Sequence, residues 1–544
     1  MNRSNAQSPS RPDPVVMAIV SAISAWVYAS HAHYIDTPLF WLPMFALICA
    51  LAAPVKFAQA ALRWLIKRTR IAIAEVPSTK HGSARWARRK DFGKLLKSKN
   101  APFWGMLEGK PLFLDYEANA LTVAPAGAGK TICVVIPQLL SIPQSLIAFD
   151  YKLELFPMTM RARQRMGHDV KRLDPSGITE EAFGPPDTYN PLDILVDDWR
   201  SSQADMLADA SAMAFQLYRE PPGASENQFF RNGSRNLMVF AKVWQVIDQG
   251  DRAALPACLK LLRDPNALRE ALYAASVSDA LRGDLADLAN DALAKFESGD
   301  IRQLESFREG AVQALSVFSP SGRIASSVAR SSFRYRDLKS SRTSVYIGGD
   351  PTRSKVYESL MGLNAWCANT ELKRCRSKTP VRFLLDEATK YYFEDLIRSM
   401  TEARGFGISY HLIVQELEDI KHTYGPEALE TVLSQTEIQQ YMTSRSPGTL
   451  DMLSQRLGNA TAKTDSHAFG DDKPHRSIAE TGRPLLTPSE IREFSDSIVF
   501  AHGKPPARVK PVGYHEVSPW NRPGFVGINP LHGKRLKGRT RLRL

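Results

Sequence analysis

The residues with the clearest chemical potential lie in the stretch Leu121–Leu140. It reads LTVAPAGAGKTICVVIPQLL, which is an apolar run, a loop of small residues and a second apolar run. Gly127 and Gly129 permit positive φ, so successive backbone N–H groups can converge on one anion. The Lys130 ammonium can then reach the β- and γ-phosphates of a nucleotide, and the Thr131 hydroxyl can bind Mg²⁺.

One position departs from the strict pattern for such a loop, because Ala124 stands where glycine is usual. An alanine is acceptable there if its φ is negative. The alternative interpretation is a Gly/Ala-rich turn that contains GKT by chance, and the rest of the chain argues against it. We therefore predict a nucleotide-binding loop made of Ala124, Pro125, Ala126, Gly127, Ala128, Gly129, Lys130, Thr131 and Ile132.

A second motif, Val381–Glu387, is a short apolar run that ends in two carboxylates. Four of the five residues before Asp386 are apolar, as in a strand buried on both faces. Asp386 is predicted to hold the Mg²⁺ ion, and Glu387 to polarise the attacking water. An apolar run followed by Asp-Glu is common alone, but it becomes informative in a chain that also carries the GKT loop.

Two further polar residues flank the predicted strand Tyr410–Val414. Gln415 ends that strand and can sense the γ-phosphate or orient water, although it can also be a simple strand end. Arg404 precedes the strand. It can serve a neighbouring subunit's nucleotide as an arginine finger, or it can form a surface salt bridge, and the sequence leaves both open.

The elements around these motifs predict an α/β fold. Ser145–Asp150 is a further buried strand, and ligands bind at the carboxyl edge of parallel sheets, so Asp150 and the following Lys152 are possible accessory residues. Additional strands are predicted at His168–Leu173, Thr343–Ile347, Ser434–Thr443 and Asp496–Ala501, whereas the polar stretch Ala460–Arg483 is predicted to be a mobile loop.

Residues from about 195 to 335 have a different character. Apolar residues recur there at helical spacing, and strand-like runs are few. We predict an all-α insertion that interrupts the α/β domain, with helices over Ser202–Tyr218, Phe229–Ile247, Leu255–Ala275 and Asp279–Phe296.

The N-terminal region carries two uncharged apolar runs, Val15–Ala29 and Leu39–Val55, joined by a loop without Lys or Arg. Basic residues follow the second run. This pattern predicts a two-helix transmembrane hairpin with both ends in the cytosol, and a pair of buried core helices is the alternative.

The charge balance is basic, with 70 Lys plus Arg against 57 Asp plus Glu, for a formal net charge of +13. Such an excess suits a polyanionic partner or an anionic membrane surface. Thr79–Asn100 is strongly basic, and lipid headgroups, nucleic acid and a solvated linker face all remain open for it. The end of the chain, His532–Leu544, is predicted to be a basic tail. The five scattered cysteines and the His31/His33 pair give no zinc spacing, so a reducing cytosol and no structural metal are expected.

The order of these motifs resembles that of the TraG/TraD-like coupling proteins of bacterial conjugation and type IV secretion, a family of P-loop ATPases. The resemblance runs from about Lys80 to Gly503. It is carried by HGSARWA at 81–87, APAGAGKT with the following IPQLL, DYKLE at 150–154, YNPLD at 189–193, LDE at 385–387, RGFG at 404–407, and IVQ at 413–415 followed by YG at 424–425.

This resemblance implies a RecA-like P-loop domain with an inserted all-α domain behind a membrane hairpin. It implies ATP and Mg²⁺ as cofactors, a homo-hexamer at the bacterial inner membrane, and recruitment of a relaxase–DNA complex or effector proteins for other type IV secretion components. The predicted segments are 1–14 (disordered), 15–70 (hairpin and basic helix), 71–195 and 339–517 (nucleotide-binding domain), 196–338 (all-α) and 518–544 (tail).

Besides Ala124, which replaces the family's first loop glycine, the chain departs from the family at two motifs. DYKLE replaces Asp-Pro-Lys-Gly-Glu, which puts the turn after Asp150 in question, and Ala388 replaces the phenylalanine after Asp-Glu. Two other functions remain to be weighed. One is a chromosome-segregation-type DNA pump, which would have more spans and a winged-helix tail. The other is a membrane scaffold that binds nucleotide with little turnover, against which the complete set of catalytic residue types counts.

Overall fold

The computed structural model describes residues 21–22, 79–97, 99–114, 118–220, 227–297, 301–470, 473–529, 533 and 542–543. Apart from residues 21–22, the predicted transmembrane hairpin lies outside these residues, as do the His31/His33 pair and most of the basic stretch His532–Leu544. In the described part of the chain, no helix combines the length and the apolarity that crossing a membrane requires. The chain divides into two compact units, Met1–Ser83 with Thr461–Arg483, and Ala84–Ala460 with Pro484–Leu544.

The second unit is built on a nine-stranded sheet, which confirms the α/β class. Its strands, labelled in chain order, are β1 Asn119–Val123, β2 Ser145–Asp150, β3 Asp169–Leu173, β4 Thr343–Gly348, β5 Val381–Leu385, β6 Ile408–Val414, β7 Thr436–Tyr441, β8 Ser497–Ala501 and β9 Ala507–Val509.

The spatial order of the strands is β9-β8-β7-β1-β6-β5-β2-β4-β3. Every neighbouring pair from β7 to β3 is parallel, whereas β8 and β9 add to one edge in antiparallel fashion. Every residue of β1, β2, β5 and β6 is buried. Helices cover both faces of such a sheet, which explains why these strands read as continuous apolar runs in the sequence.

The helices of this unit are, in chain order, α1 Ile136–Ser141, α2 Leu155–Arg165, α3 Glu180–Phe183, α4 Asp193–Ser201, α5 Met206–Leu217, α6 Gln228–Gln249, α7 Leu255–Arg263, α8 Pro265–Ser276, α9 Asp284–Glu297, α10 Ile301–Leu315, α11 Arg323–Ser327, α12 Ser354–Arg374, α13 Leu396–Glu402, α14 Glu418–Tyr424, α15 Pro426–Gln435, α16 Pro447–Leu457 and α17 Pro488–Arg492. A three-stranded sheet, Leu96–Lys97, Phe103–Leu107 and Lys110–Leu114, precedes β1.

The described chain between β3 and β4 contains helices and no strand, as the helical spacing predicts. One predicted helix is wrong in detail, because Leu255–Ala275 is two helices. Pro265 cannot donate an intrahelical hydrogen bond, so it starts a new helix. The Asp264 side chain caps that helix by accepting hydrogen bonds from the N–H groups of Asn266 and Ala267.

The polar stretch Ala460–Arg483 is not the mobile loop that its composition predicts. Asn459–Gly470 and Lys473–Pro484 are two strands that pair with each other. A ladder of this kind is held by backbone groups, which every non-proline residue supplies, so a polar composition does not prevent it.

The predicted basic tail from residue 518 also begins too early. Trp520 and Val526 are 3% exposed and belong to the same core cluster as Ile136 and Leu139 of α1. The folded part of the chain therefore continues well beyond the predicted boundary.

A buried histidine joins β1, β6 and α1 beneath the predicted nucleotide loop. His411 of β6 is fully buried, and its two ring nitrogens lie 2.8 Å from the Thr122 hydroxyl and 2.8 Å from the Gln138 side-chain oxygen. Burial, together with the smaller effect of the nearby Arg382 charge, lowers the pKa of His411 to about 3. His411 is thus neutral in the folded state well below neutral pH.

We expect this histidine to make the fold acid-sensitive. The folded state binds the proton more weakly than the unfolded state, whose histidine has a pKa of about 6.5, so stability is lost as pH falls from 6.5 toward 3. The expected loss is about 2 kcal/mol between pH 7 and pH 5. His411→Gln should be less stable at pH 7 yet show a flatter fall of melting temperature with acidification. An equally steep fall in the variant would contradict the assignment.

Candidate nucleotide site

The predicted phosphate loop connects β1 to a helix that starts with one π-helical turn, Thr131–Val135, and continues as α1. Gly127 and Gly129 have φ of +83° and +82°, so both need the freedom of glycine. Ala124 is not among the positive-φ residues of the described chain, which meets the condition set for an alanine at this position. It is fully buried, and its N–H donates to the Val414 carbonyl at 3.0 Å.

Sheet order brings three predicted motifs together. The parallel strands β1, β6 and β5 are consecutive neighbours, so their carboxyl ends share one edge of the sheet. The phosphate loop follows β1, Gln415 follows β6, and Asp386 and Glu387 follow β5. β6, which Gln415 follows, therefore lies between β1 and β5 in the sheet, although it is the last of the three in sequence.

The side chains of this edge form one hydrogen-bonded group. The Lys130 ammonium donates to Glu387 Oε1 at 2.7 Å, and Gln415 Nε2 donates to Glu387 Oε2 at 2.9 Å. The Lys130 and Glu387 side chains are each 10% exposed. Glu387 has a φ of +55°, a conformation that costs a non-glycine residue of order 1–3 kcal/mol and that clusters at functional sites.

Electrostatics keep Glu387 charged. Burial by itself would raise the pKa of Glu387, but the hydrogen bonds from Lys130 and Gln415 outweigh it and lower the pKa below its ordinary value. The Glu387 carboxylate is therefore available to accept a proton or to orient water near neutral pH.

The residues predicted to hold Mg²⁺ fit that ion chemically. Asp386 is 7% exposed, and one of its oxygens accepts the N–H of Glu387 at 3.1 Å. Burial raises the pKa of Asp386 to about 7, which marks a carboxylate whose negative charge is poorly compensated within the protein. A divalent cation with oxygen ligands supplies such compensation, and Thr131, whose hydroxyl is a suitable ligand, lines the adjoining cavity.

The two accessory candidates differ in their roles. Lys152 lines the cavity, whereas the Asp150 carboxylate accepts the N–H groups of Glu154 and Phe156 at 2.9 and 2.8 Å and so fixes the start of α2. Asp150 is thus a positioning residue. Leu153 occupies the family's glycine position with a φ of +54°, and its side chain lies on Gly348, where a Cβ would come within 2.2 Å of it. Burial of this leucine offsets the strain of the turn.

Arg404 is not part of this group. It precedes β6, at the opposite edge of the sheet from the phosphate loop, and its side chain is 67% exposed. It donates to Glu437 Oε1 at 2.9 Å. Within one chain Arg404 therefore forms a surface ion pair.

The cavity itself has a volume of about 440 Å³, within the range of small-ligand sites. Ala126, Gly127, Gly129, Lys130, Thr131 and Ile132 of the predicted loop line it, together with Glu387 and Gln415. Pro125, Ala128 and Asp386 do not line it, nor does Ala124, which packs with Val134 and Met442.

Sequence reasoning missed one wall of this cavity. Ile136, Glu154, Met158, Tyr514 and Asn529 complete the lining, and Asn529 Nδ2 donates to Glu154 Oε2 at 2.8 Å. Tyr514 and Asn529 come from the C-terminal region, more than 380 residues after the phosphate loop. No motif marks them. The one available signal was apolar residues such as Trp520 and Val526 inside a stretch otherwise assigned to a tail.

Comparison with known proteins gives a consistent result. Residues 58–526 match the family described as type IV secretory system conjugative DNA transfer. The chain is 28% identical over 522 residues to protein VirD4 of Agrobacterium fabrum, covering 90% of this chain and 73% of that protein. It is 24% identical over 494 residues to conjugal transfer protein TraG of Escherichia coli, covering 78% of this chain and 75% of that protein.

Solved structures support the fold. Plasmid coupling protein TrwB matches with a TM-score of 0.55 in its complex with the non-hydrolysable ATP analogue ADPNP and of 0.51 in its complex with ADP and Mg²⁺. In both cases the identity is 13%, and the match covers 79% of this chain and 93% of TrwB. At this identity the likeness shows a shared α/β fold.

Proposed function

The chain belongs to the type IV secretory system conjugative DNA transfer family, and on that premise we propose that it is a coupling ATPase. It recruits relaxase–DNA or effector substrates and uses ATP hydrolysis to drive them to the secretion channel. The observation that carries the proposal is the group formed by Lys130, Glu387 and Gln415 at one edge of the sheet. A nucleotide-binding scaffold without turnover has no need of a charged Glu387 oriented by an amide.

Each residue of the group has a task in hydrolysis. The loop N–H groups and Lys130 bind the β- and γ-phosphates, and Glu387 accepts the proton of the attacking water. Gln415 holds Glu387 and senses whether the γ-phosphate is present. Thr131 and Asp386 hold Mg²⁺, which supplies charge neutralisation at the transferring phosphoryl group when bound. TrwB complexes with ADPNP and with ADP and Mg²⁺ support this choice of cofactors.

The remaining parts of the proposal concern location, assembly and partners. The apolar runs Val15–Ala29 and Leu39–Val55 anchor the chain in the bacterial inner membrane, with the bulk of it in the cytoplasm. The chain works as a homo-hexamer of RecA-like domains. Arg404, which is exposed and remote from its own chain's loop, reaches the nucleotide of a neighbouring subunit as an arginine finger. Other type IV secretion components receive the cargo.

The cargo is tested by cross-linking. Donor cells that carry the full-length protein are fixed with formaldehyde during transfer, the protein is immunoprecipitated, and recovered DNA is quantified by PCR. Transferred DNA should be enriched at least tenfold over chromosomal DNA. A plasmid without its transfer origin is the control and should give no enrichment. Recovery of protein substrates alone, with no DNA, would restrict the proposal to effector secretion.

A further inference from the structure

A second cavity lies beside the loop that follows β5 and shares no lining residue with the nucleotide cavity. Its volume is about 500 Å³, and four separate segments form its walls. These are the end of α5 with the residues after it, the first turns of α12, the loop that follows β5, and the end of α14. We call it the basic cleft and define it by Gln216, Arg219, Lys355, Lys390, Tyr392 and His422.

The charge of the basic cleft is unbalanced. Arg219, Lys355 and Lys390 are all exposed, and within the described residues no carboxylate forms an ion pair with any of them. The lining contains a single carboxylate, Glu358, which accepts a hydrogen bond from the Tyr151 hydroxyl at 3.2 Å. A second carboxylate, Glu394, lies beside Tyr392. The three clustered cations still outnumber these two anions, so the cleft has a positive potential that favours an anionic occupant.

The rest of the lining is polar and suits phosphate oxygens. Ser359 and Thr389 add hydroxyl groups to the ammonium and guanidinium groups, whereas the Thr423 hydroxyl donates to the Thr389 carbonyl at 3.4 Å. Arg219 also lies over the Tyr392 ring, 5.1 Å from its centroid, which fixes the guanidinium without neutralising it. A wall of donors with little apolar surface selects a charged, oxygen-rich ligand. A cavity of about 500 Å³ can take in part of a single nucleic-acid strand, whereas a duplex is too wide to enter it.

The position of the basic cleft ties its occupant to the catalytic glutamate. The loop after β5 contains Glu387, whose carbonyl accepts the N–H of Lys390 at 2.8 Å. Gln216 of α5 holds the other end of that loop, because it donates to the Tyr392 carbonyl at 2.8 Å and accepts the Glu394 N–H at 2.9 Å. Gly362 of α12 packs directly against this loop. A Cβ added at Gly362 would lie 2.0 Å from the Tyr392 carbonyl oxygen.

From this arrangement we infer that the basic cleft binds the phosphodiester backbone of a single nucleic-acid strand, next to the loop that carries Glu387. The inference rests on the proposed function, since it gives the cargo DNA a contact point in each subunit. The cleft reads backbone charge and no base sequence, because its donors match phosphate oxygens.

The test compares two triple variants of the full-length protein in detergent. Arg219→Gln, Lys355→Gln and Lys390→Gln together remove the cations of the basic cleft. Arg252→Gln, Lys260→Gln and Arg302→Gln remove the same charge from exposed positions on the helical region. Fluorescence anisotropy measures binding of a fluorescein-labelled oligodeoxythymidylate across a series of NaCl concentrations.

The cleft variant should bind the oligonucleotide at least tenfold more weakly at low salt, and its log–log salt slope should fall by about 2, since each phosphate contact on a single strand contributes about 0.7. The matched variant should keep both values. Equal losses in the two variants would show a net-charge effect and overturn the inference, as would no loss in either. Inorganic phosphate at matched ionic strength should not displace the oligonucleotide; displacement would identify a site for free phosphate.

Failure of this inference is separable from failure of the proposed function. Oligonucleotide binding is measured without hydrolysis, so it does not depend on Lys130 or Glu387. A cleft variant that binds the oligonucleotide normally leaves the motor proposal intact. Melting temperature and affinity for a fluorescent ATP analogue confirm that each triple variant is folded.

Discussion

Replacing Glu387 by glutamine is expected to abolish ATP hydrolysis while nucleotide binding is retained. The amide keeps the size of the carboxylate and still accepts a hydrogen bond from Lys130, but it cannot take a proton from water. Loss of a positioned general base costs about 10²–10⁴-fold in rate. The side chain of Gln415 must also turn its oxygen toward the new amide, because two NH₂ groups would otherwise face each other.

Phosphate release by the full-length protein and transfer frequency in donor cells measure the effect of Glu387→Gln. Both should fall to background, with unchanged affinity for a fluorescent ATP analogue and a normal amount of protein in the membrane fraction. The matched control is Glu427→Gln on the exposed face of α15, which makes the same chemical change away from the site. Normal transfer by Glu387→Gln would end the motor proposal.

Replacing Lys130 by alanine should weaken nucleotide binding as well as hydrolysis. The change removes the cation that contacts the β- and γ-phosphates, and it leaves the Glu387 carboxylate without its ion-pair partner in a buried position. Removal of one donor to a developing charge costs about 10²–10³-fold in rate. We expect a larger loss in kcat/KM for Lys130→Ala, because the same ammonium also binds ATP in the ground state.

Isothermal titration with ATP and Mg²⁺ and a transfer assay measure Lys130→Ala. Lys130→Arg is the informative companion, since it keeps the charge but not the compact ammonium, and it should recover binding better than turnover. Lys152→Ala, at the rim of the same cavity, should have the smaller effect of the two alanine variants. Equal effects from Lys130→Ala and Lys152→Ala would mean that bulk positive charge, and not the position of Lys130, matters.

Several local features could be read from the sequence because they depend on neighbouring residues. The two glycines of the phosphate loop take positive φ, Ala124 avoids it, and β1, β2 and β5 are buried strands as their apolar runs predict. The resemblance to coupling proteins, carried by short motifs in a fixed order, is confirmed by the family match over residues 58–526. The transmembrane hairpin and the hexamer stay predictions.

Other features could not be predicted from the sequence, because composition and periodicity do not encode them. Polar residues at Ala460–Arg483 predicted a loop, yet backbone hydrogen bonds pair two strands there. The break at Pro265 was hidden inside a continuous helical pattern of apolar residues. Leu153 adopts a left-handed turn that favours glycine, and it is stabilised by packing on Gly348, almost two hundred residues later in the chain.

The sequence by itself determined which chemistry this protein can perform, because a phosphate loop and the residues at strand ends are set by local spacing and by the conformations that glycine permits. Only the tertiary structure decided which groups meet. Placing β6 between β1 and β5 brings Gln415 onto Glu387 and Glu387 onto Lys130. The return of the C-terminal region sets Tyr514 and Asn529 in the cavity wall, and four distant segments form the basic cleft. Such contacts follow from strand order and from burial of apolar surface across the whole chain, which no local pattern records.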